Sequence, residues 1–401
     1  MADLSALDGS TFVVSDESGD FEAERAEGFF HEDMRHLSRW RLLVDGEPPP
    51  TLSSGNVDYY AARVVGSAGD EGAPTIAVRR ERFVSGGLHE DLCVENLTDE
   101  PRRVELVLEF ASDFGDILEC RTRPKKRGRI VADVADEQVT LRYERGDFTR
   151  ATVIRFSRHC RLERGRATFA LELAPRETWK TCVDVVPVVD GDERRSRHRC
   201  GDFGSPQPDM PLSFDDWLRT APRLETDWDG LRHTYQRSLV DLAALRFRPL
   251  ENLTWSLPAG GLPWFMALFG RDSIIAAYQL LPFQPRLAQT TLETLAELQA
   301  TERDDFRDAE PGKILHELRR GELAVLGDKP HSPYYGAHDA TPLFLILVDE
   351  YERWTGDREF IRSLEPAARA AVRWIEDEGD LDGDGFLEYV GRAPRGLDNQ
   401  C

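Results

Sequence analysis

The stretch VELVLEF, residues 104–110, decides the predicted fold of the first half of this chain. Neighbouring side chains of a β-strand point to opposite faces of the sheet, so a strict alternation of residue types indicates a half-buried strand. One face of this strand would carry Val104, Leu106, Leu108 and Phe110. The other face would carry Glu105, Val107 and Glu109. The stretch therefore predicts a strand that lies on an apolar core.

Similar short runs, rich in β-branched and aromatic residues, surround it from about residue 11 to residue 189. They are TFVVSD (11–16), RWRLLVDG (39–46), YYAARVVG (59–66), TIAVRRERFV (75–84), LHEDLCVENL (88–97), QVTLRYE (138–144), TVIRFS (152–157), ATFALELAP (167–175) and WKTCVDVVPVV (179–189). Turn signals such as VDGEPPP and SGG separate them. Many short strands without helical patterns between them predict an antiparallel β-sandwich over residues 1–195.

Residues 196–227 are rich in charge, Gly and Pro and are predicted to be a linker that contains one short helix, within LSFDDWLRTAP (212–222). From residue 228 to residue 401 the apolar period becomes helical. The predicted helices are LRHTYQRSLVDLAALRF (231–247), RDSIIAAYQLL (271–281), RLAQTTLETLAELQA (286–300), DATPLFLILVDEYERWTG (339–356) and REFIRSLEPAARAAVRWIEDEG (358–379). In the first of these, the predicted inward stripe is Leu231, Tyr235, Leu239, Leu242 and Leu245. The predicted fold class is therefore multidomain α+β.

The composition excludes several classes of partner. The 401 residues include 51 Lys and Arg against 73 Asp and Glu, a formal net charge of -22. Nucleic-acid backbones and anionic membranes attract clustered basic residues, so neither is an expected partner. We expect no signal peptide or membrane span, and a cytoplasmic location. The six cysteines lie far apart without a CxxC pair, so neither a zinc site nor a disulfide framework is expected.

The segment GGLPWFMALFGRDSIIAAY, residues 260–278, places Arg271 and Asp272 side by side in an apolar frame. One interpretation is a helix cap, by Asp272 or Ser273, with a local arginine partner. The other is a sugar site, because each sugar hydroxyl both donates and accepts hydrogen bonds. In that case Trp264 and Phe269 would provide an apolar face for the sugar ring.

Four further motifs accompany this segment in the second half: EPGKILHELRRGEL (310–323), PYYGAHDATPLFLILVDEYERWTGD (333–357), DLDGDGFLEYVGR (380–392) and GLDNQ (396–400). With GFFHEDMRHLSRWRLLVDG (28–46) in the first half, the chain resembles bacterial amylo-α-1,6-glucosidases, which are glycogen-debranching-like members of the six-hairpin glycosidases. The resemblance implies a β-sandwich followed by the first part of an (α/α) six-hairpin barrel. It implies an inverting glycoside hydrolase for α-glucosidic bonds of glycogen-like glucans or oligosaccharides, with no cofactor.

The same resemblance implies that Arg271 and Asp272 bind the terminal sugar. It places Lys313, His316 and Glu317 beside that sugar, Tyr335 in stacking contact and Asp339 in hydroxyl contact. The catalytic acid and base are expected beyond Cys401, so we expect a truncated and inactive hydrolase. Asp398 is the remaining acid near that loop, although its position does not match the acid of the family.

Two alternatives to this function stay open. One is a non-catalytic sugar-binding or accessory protein, and the other is a six-hairpin hydrolase of a small glycoside such as mannosylglycerate. No metal site is predicted. Asp380, Asp382 and Asp384 imitate half of a calcium loop, but its twelfth position is Gly391 instead of the required Glu, and Glu388 has the wrong spacing. A helix cap is the simpler interpretation of Asp339.

Overall fold

The computed structural model describes residues 4–23, 26–69, 74–122, 124–125, 127–203, 214–250, 255–388 and 390–392. The chain forms two compact units, Met1–Pro208 and Asp209–Cys401. The first is built of strands and the second mainly of helices, which makes the protein α+β. The short helix inside the predicted linker segment belongs to the second unit. In the described ranges, no helix combines the length and the apolar character that crossing a membrane requires.

The first unit contains a long series of antiparallel strands and one short helix, α1 (Ile117–Cys120). The strands are β1 (Leu4–Asp8), β2 (Thr11–Ser15), β3 (Phe21–Glu22), β4 (Gly28–His31), β5 (Met34–Leu37), β6 (Arg39–Val44), β7 (Thr51–Asp58), β8 (Ala61–Ala68), β9 (Ile76–Ser85), β10 (Gly87–Asn96), β11 (Arg102–Ala111), β12 (Gly115–Asp116), β13 (Arg129–Ala135), β14 (Gln138–Arg145), β15 (Phe148–Phe156), β16 (Arg161–Glu163), β17 (Arg166–Leu173), β18 (Thr178–Val189) and β19 (Asp192–Glu193).

These strands form three sheets. Their strand orders in the described part of the chain are β1-β2-β4-β5-β12, then β13-β14-β15-β18-β10-β9-β8-β7 with β19 beside β18, and β16-β17-β11-β6-β3. Strand β11 shows the predicted alternation: Val104, Leu106, Leu108 and Phe110 are buried in a core shared by side chains of all three sheets. Val107 is buried as well, on the opposite face of that strand. The β-sandwich predicted from the alternation is therefore present.

A buried ion network is centred on the paired strands β9 and β10 of the first unit. Glu90 on β10 accepts hydrogen bonds from Arg80 and Arg82 on the neighbouring β9, with oxygen–nitrogen distances of 3.0 and 2.7 Å. The indole nitrogen of Trp40 lies 3.3 Å from the same carboxylate, and Asp20 binds Arg80 from the other side. All five side chains are buried. Each buried charge is therefore compensated, as burial in a sheet core requires.

The cysteines differ from the expectation. Cys182 and Cys200 form a disulfide, which their wide spacing did not predict. Residue 182 lies on β18 and residue 200 in the segment that follows β19, so the two meet only after that segment folds back. Sequence spacing alone cannot show such a return. Cys93, Cys120 and Cys160 are buried free thiols.

The second unit contains helices joined by short hairpins and loops. Its elements are α2 (Phe214–Thr220), α3 (Asp229–Ala244), β20 (Arg246–Phe247), β21 (Leu257–Pro258), β22 (Leu268–Phe269), α4 (Gly270–Leu280), α5 (Pro285–Glu297), β23 (Glu317–Leu318), α6 (Glu322–Val325), α7 (Ala340–Thr355), α8 (Arg358–Ser363), α9 (Glu365–Trp374) and a π-helical turn (Ile375–Gly379). Helices α4, α5 and α7 pack on one another, and α7 also packs on α9. Helix α2 is the short helix predicted within the linker segment.

Two helix predictions need correction. The predicted fifth helix is broken at Leu364 into α8 and α9, because Pro366 in the first turn of α9 lacks the amide and clashes with the preceding turn. In α3 the predicted inward stripe is only partly buried: Leu239 is buried, whereas Leu231 is exposed. Strands β21 to β23 lie in segments where the sequence predicted only loops. Strand β20 takes up the last two residues of the helix predicted over 231–247, because α3 ends at Ala244.

Candidate functional site

The candidate site is built where a short strand leads into helix α4. Strand β22 pairs with β23, with Phe269 opposite Glu317, and the Gly270 amide donates to the His316 carbonyl at 2.9 Å. A side-chain carbon on Gly270 would lie 2.0 Å from the Leu315 carbonyl oxygen, so only glycine fits there. The start of α4 is therefore held against residues 315–318, and the residues that follow Gly270 take fixed positions.

Arg271 and Asp339 form the central ion pair of this site. The Nη1 of Arg271 donates to the Oδ2 of Asp339 at 3.1 Å, and its Nε lies 3.8 Å from the Asp272 carboxylate. The side chains of these three residues are 30–47% exposed, so they lie at the surface of the unit. The Oδ1 of Asp339 is buried and accepts no hydrogen bond from any residue that the structure describes. This carboxylate can therefore still accept a hydrogen bond.

Both acidic residues lie at helix N-termini. Asp339 occupies the N-cap position of α7, but its side chain makes no capping hydrogen bond. The prediction that Asp272 or Ser273 caps α4 is wrong, because Phe269 holds the N-cap position and Asp272 lies in the first turn. Helix N-termini carry partial positive charge and stabilise carboxylates nearby. The pairing with Arg271 and these two helix ends keep the acidic side chains together in one small region.

His316 is a buried neutral imidazole beside this pair. Burial lowers the pKa of His316, and the positive charge of Arg271 lowers it further. The nearby carboxylates raise this pKa, but they do not outweigh the burial. The ring makes edge contacts with Phe269 and Tyr334 at centroid distances of 6.1 and 5.8 Å. A neutral ring can both donate and accept a hydrogen bond. His316 therefore suits contact with a hydroxyl better than contact with an anion.

Glu317, another predicted sugar contact, is held by protein groups. Its carboxylate is buried and accepts from the Nε of Arg319, and His331 lies 3.5 Å away. Arg319 also donates to the Trp264 carbonyl at 2.6 Å and stacks over Phe269 at 5.3 Å. The structure therefore gives Glu317 a supporting position, from which it fixes the loop that carries Trp264.

The predicted aromatic residues differ in exposure. Trp264 is half-buried, whereas Phe269 and Tyr335 are buried. The hydroxyl of Tyr335 donates to the Leu298 carbonyl at 2.7 Å, so this ring is anchored inside the unit. Among these three, Trp264 presents the most accessible ring.

Two buried carboxylates were missed by the sequence analysis. Asp308 accepts from the Tyr334 hydroxyl at 3.0 Å, and Glu310 accepts from the Trp374 indole at 2.8 Å. Arg392 donates to both of them, through its amide to Asp308 and its Nε to Glu310, each at 3.0 Å. Lys313 donates to the Asp308 carbonyl, and burial lowers its pKa. The motif EPGK contained Glu310 and Lys313, but no periodicity marked them as buried.

The acidic turn at 380–388 brings more residues together than its spacing predicted. Oxygens of Asp380, Asp382, Asp384 and Glu388 lie within 4.8 Å of one another, although Glu388 does not stand at the twelfth position of a calcium loop. Asp380 accepts the amides of Gly383, Asp384 and Gly385, and Glu388 accepts that of Leu381. These hydrogen bonds account for the clustering of the four carboxylates. Asp398, the suggested acid, lies outside the described residues.

A cavity of about 260 Å³ in the same unit has a different lining. Its walls include Trp217 and Trp255, each covered by an arginine: Arg246 lies 4.5 Å from the first ring and Arg286 4.6 Å from the second. Within the described ranges, none of the residues predicted to bind sugar lines it. One face of each of these tryptophan rings is therefore covered by a guanidinium group.

Several solved structures are similar to this chain. A protein from the human microbiome named as a kojibiose phosphorylase has 12% identity and a TM-score of 0.48, over 82% of this chain and 47% of its own. A protein from Escherichia coli K12 named as an aldose 1-epimerase has 10% identity and a TM-score of 0.30, over 47% and 99%. A glycosyl hydrolase of the GH92 family has 12% identity and a TM-score of 0.32, over 97% and 63%. This chain thus spans about half the length of the kojibiose phosphorylase.

No curated protein matches the sequence. A family match exists for the first unit, over residues 7–184. That segment contains strands β2 to β17 and most of β18, and it holds the core described above. In this segment the chain is similar to the N-terminal domain of some glycogen debranching enzymes.

Proposed function

We propose that this protein acts on carbohydrate, and that its helical unit binds the terminal sugar of a glucan or oligosaccharide. The observation that carries the proposal is the Asp339 carboxylate. One of its oxygens accepts from Arg271 at 3.1 Å, while the other is buried and accepts no hydrogen bond from the described residues. A buried acceptor without a donor is unfavourable, and a sugar hydroxyl is a donor of the right kind.

The residues around this carboxylate fit a neutral polyhydroxylated ligand. Arg271 supplies donors, Asp272 and Asp339 supply acceptors, and the neutral His316 can do either. The half-buried Trp264 supplies an apolar ring surface, which is the usual partner of the C–H face of a sugar. Glu317 and Tyr335 would then support the site from behind, since both are already bonded to protein groups.

The similarity of residues 7–184 to a glycogen debranching domain supports the choice of an α-glucan as substrate class. We propose that the helical unit forms part of an (α/α) six-hairpin barrel, in keeping with the packing of α4, α5 and α7. Hydrolysis of α-glucosidic bonds by an inverting two-carboxylate mechanism in the cytoplasm, without a cofactor, is the corresponding chemical proposal.

A second candidate function is sugar binding without bond cleavage. It is favoured by the state of the buried carboxylates Glu310 and Glu317, which accept hydrogen bonds from Arg392 and Arg319. A carboxylate that already accepts hydrogen bonds from an arginine of the protein is held in that pair and is not available to contact a substrate. The geometry around Arg271 therefore supports binding more directly than it supports catalysis.

Two assays on the full chain separate these possibilities. Maltotriose, isomaltose and a glycogen limit dextrin are titrated calorimetrically, and release of reducing sugar from each is measured in parallel. Binding with release supports the hydrolase, and binding without release supports the second candidate. Absence of binding by all three glucans would contradict both. Asp272→Ala should weaken binding of any sugar that is bound, by about 1.5–3 kcal/mol for a lost charged hydrogen bond.

A further inference from the structure

A second group of potential ligands lies in the β-sandwich, on paired strands β10 and β18. In this pair Asp91 stands opposite Cys182, and His89 stands opposite Asp184. His89 and Asp91 are two residues apart on one strand, so they share a face of the sheet. The segment after β19 brings Cys200 to the same place. Ligand atoms of His89, Asp91, Cys182 and Cys200 all lie within 4.8 Å of one another.

His89 has the orientation that metal-binding histidines in proteins commonly have. It is 1% exposed, and its Nδ1 donates to the Asp184 carboxylate at 2.6 Å. That hydrogen bond orients the ring so that its Nε2 faces the Oδ1 of Asp91, 3.2 Å away. A histidine that binds a metal through one nitrogen commonly donates from the other to a carboxylate.

A hydrogen bond joins the Nε2 of His89 to the Oδ1 of Asp91 when Nε2 carries a proton. A divalent cation would satisfy the same two atoms and would also reach the sulfur atoms of Cys182 and Cys200.

The donor set and its spacing fit zinc. Zinc in proteins binds thiolate, imidazole and carboxylate in a tetrahedron, with bonds of about 2.0–2.3 Å, so neighbouring ligand atoms lie about 3.3–3.8 Å apart. The 3.2 Å between the Nε2 of His89 and the Oδ1 of Asp91 is close to this separation. A set of two thiolates, one imidazole and one carboxylate is softer than the oxygen sets that calcium and magnesium prefer.

The remaining atoms of these side chains are already held by the protein. The second oxygen of Asp91 accepts the Gly201 amide at 2.9 Å, which leaves Oδ1 directed at His89. Gly201 adopts φ +85°, a conformation that favours glycine and that turns the chain directly after Cys200. The carboxylate and imidazole are thus positioned before any ion arrives.

We propose that the reduced form of this protein binds one zinc ion through His89, Asp91, Cys182 and Cys200. The disulfide between the two cysteines and the zinc site exclude each other. A phosphine reductant converts the disulfide and one water into two thiols and a phosphine oxide, a two-electron step. Zinc then displaces both thiol protons and the proton on the Nε2 of His89 to solvent as it binds the four side chains. The cysteine pair would thereby exist either as a disulfide or as a metal site.

The test uses the full chain, reduced with a phosphine under inert gas, loaded with zinc and desalted over a weak chelator. Thiol titration of the denatured protein confirms reduction, since the disulfide form shows two thiols fewer. We expect about one zinc per reduced chain by atomic emission, and less than about a tenth of that in the oxidised chain. Cobalt in place of zinc should show a thiolate charge-transfer band and the strong visible bands of a tetrahedral site.

Variants distinguish the loss of a zinc ligand from the loss of the fold. Cys200→Ser alters an exposed residue and should lower zinc affinity at least about a hundredfold, whereas Asp184→Asn should lower it about 10–100-fold. Cys93→Ser is the matched control, because it changes a free cysteine two residues beyond Asp91 on β10 and should leave zinc binding unchanged. A reduced wild-type chain that retains no zinc would overturn the proposal. So would full zinc affinity in Cys200→Ser, because the metal would then be bound elsewhere.

Discussion

Arg271 in the first turn of α4 donates to Asp339, the residue that precedes α7, across 3.1 Å. The two residues are 68 positions apart in the chain, and the ion pair joins the N-termini of two packed helices. Both ends are fixed independently of the ion pair, since Gly270 is bonded to the His316 carbonyl and the Ile314 amide donates to Thr341 in α7. The carboxylate is therefore held in position by the backbone and not by Arg271 alone.

The close approach at Gly270 predicts a large effect of a small substitution. Gly270→Ala would place a methyl carbon 2.0 Å from the Leu315 carbonyl oxygen, so the β22–β23 contact must open. We expect a loss of at least about 2 kcal/mol in the unfolding free energy of the helical unit, measured by chemical denaturation. Gly356→Ala is the control: it adopts φ +68° with open space around it, so it should cost about 1 kcal/mol. Equal effects of the two would contradict this description of the junction.

The buried network of the sandwich predicts a strong dependence on Glu90. The charges of Arg80 and Arg82 outweigh the effect of burial and lower the pKa of Glu90 to about 2. Glu90→Gln leaves both arginines without their shared anion and should cost about 3–5 kcal/mol of unfolding free energy. Glu172→Gln, which removes an exposed partner of Arg103, should change stability by no more than about 1 kcal/mol.

The same lowered pKa fixes the direction of a pH effect. Glu90 ionises more readily in the folded chain than at its ordinary pKa of 4.5, so its contribution is complete above that pH. The contribution is then lost as the pH falls from 4.5 towards about 2. Acid titration of wild type and Glu90→Gln should therefore give curves that converge over this range. Parallel curves from neutral pH down to pH 2 would show that Glu90 does not titrate as described.

A substitution of Tyr335 tests whether this residue supports the site or contacts the ligand. Its ring is buried and its hydroxyl donates to the Leu298 carbonyl, so Tyr335→Phe removes one hydrogen bond and little packing. We expect a loss of about 1 kcal/mol in unfolding free energy, measured by thermal or chemical denaturation, and unchanged affinity for a glucan. A stable variant with weakened glucan binding would instead show that this hydroxyl contacts the ligand.

The sequence predicted the regular parts of this protein because their physics is local. The alternation in VELVLEF determines which face of β11 is buried, and the apolar periodicity of residues 271–281 predicts a helix close to the observed α4. The break between α8 and α9 was missed, although Pro366 marks it, because the apolar period continues on both sides.

The candidate sites depend on contacts that local patterns do not contain. Arg271 was identified from its apolar frame, but its pairing with Asp339 depends on how α4 and α7 pack. Glutamate is usually exposed, so the sequence did not indicate that Glu317 is buried. Its ion pair with Arg319 makes that burial possible. The group around His89 requires the register of β10 on β18 and the return of the segment that carries Cys200. No spacing rule for cysteines includes those two facts.

The measurement that tests the central claim most directly is the affinity of the full chain for maltotriose, compared between wild type, Asp339→Asn and Asp349→Asn. Asp349 is the matched control, because it pairs with Arg353 on the exposed face of the same helix. We predict that Asp339→Asn weakens binding by about 1.5–3 kcal/mol, roughly 10- to 150-fold in Kd, with the fold intact, and that Asp349→Asn binds as wild type does. Equal affinity of all three proteins, or no binding of any glucan by the wild type, would contradict a sugar site at Arg271 and Asp339.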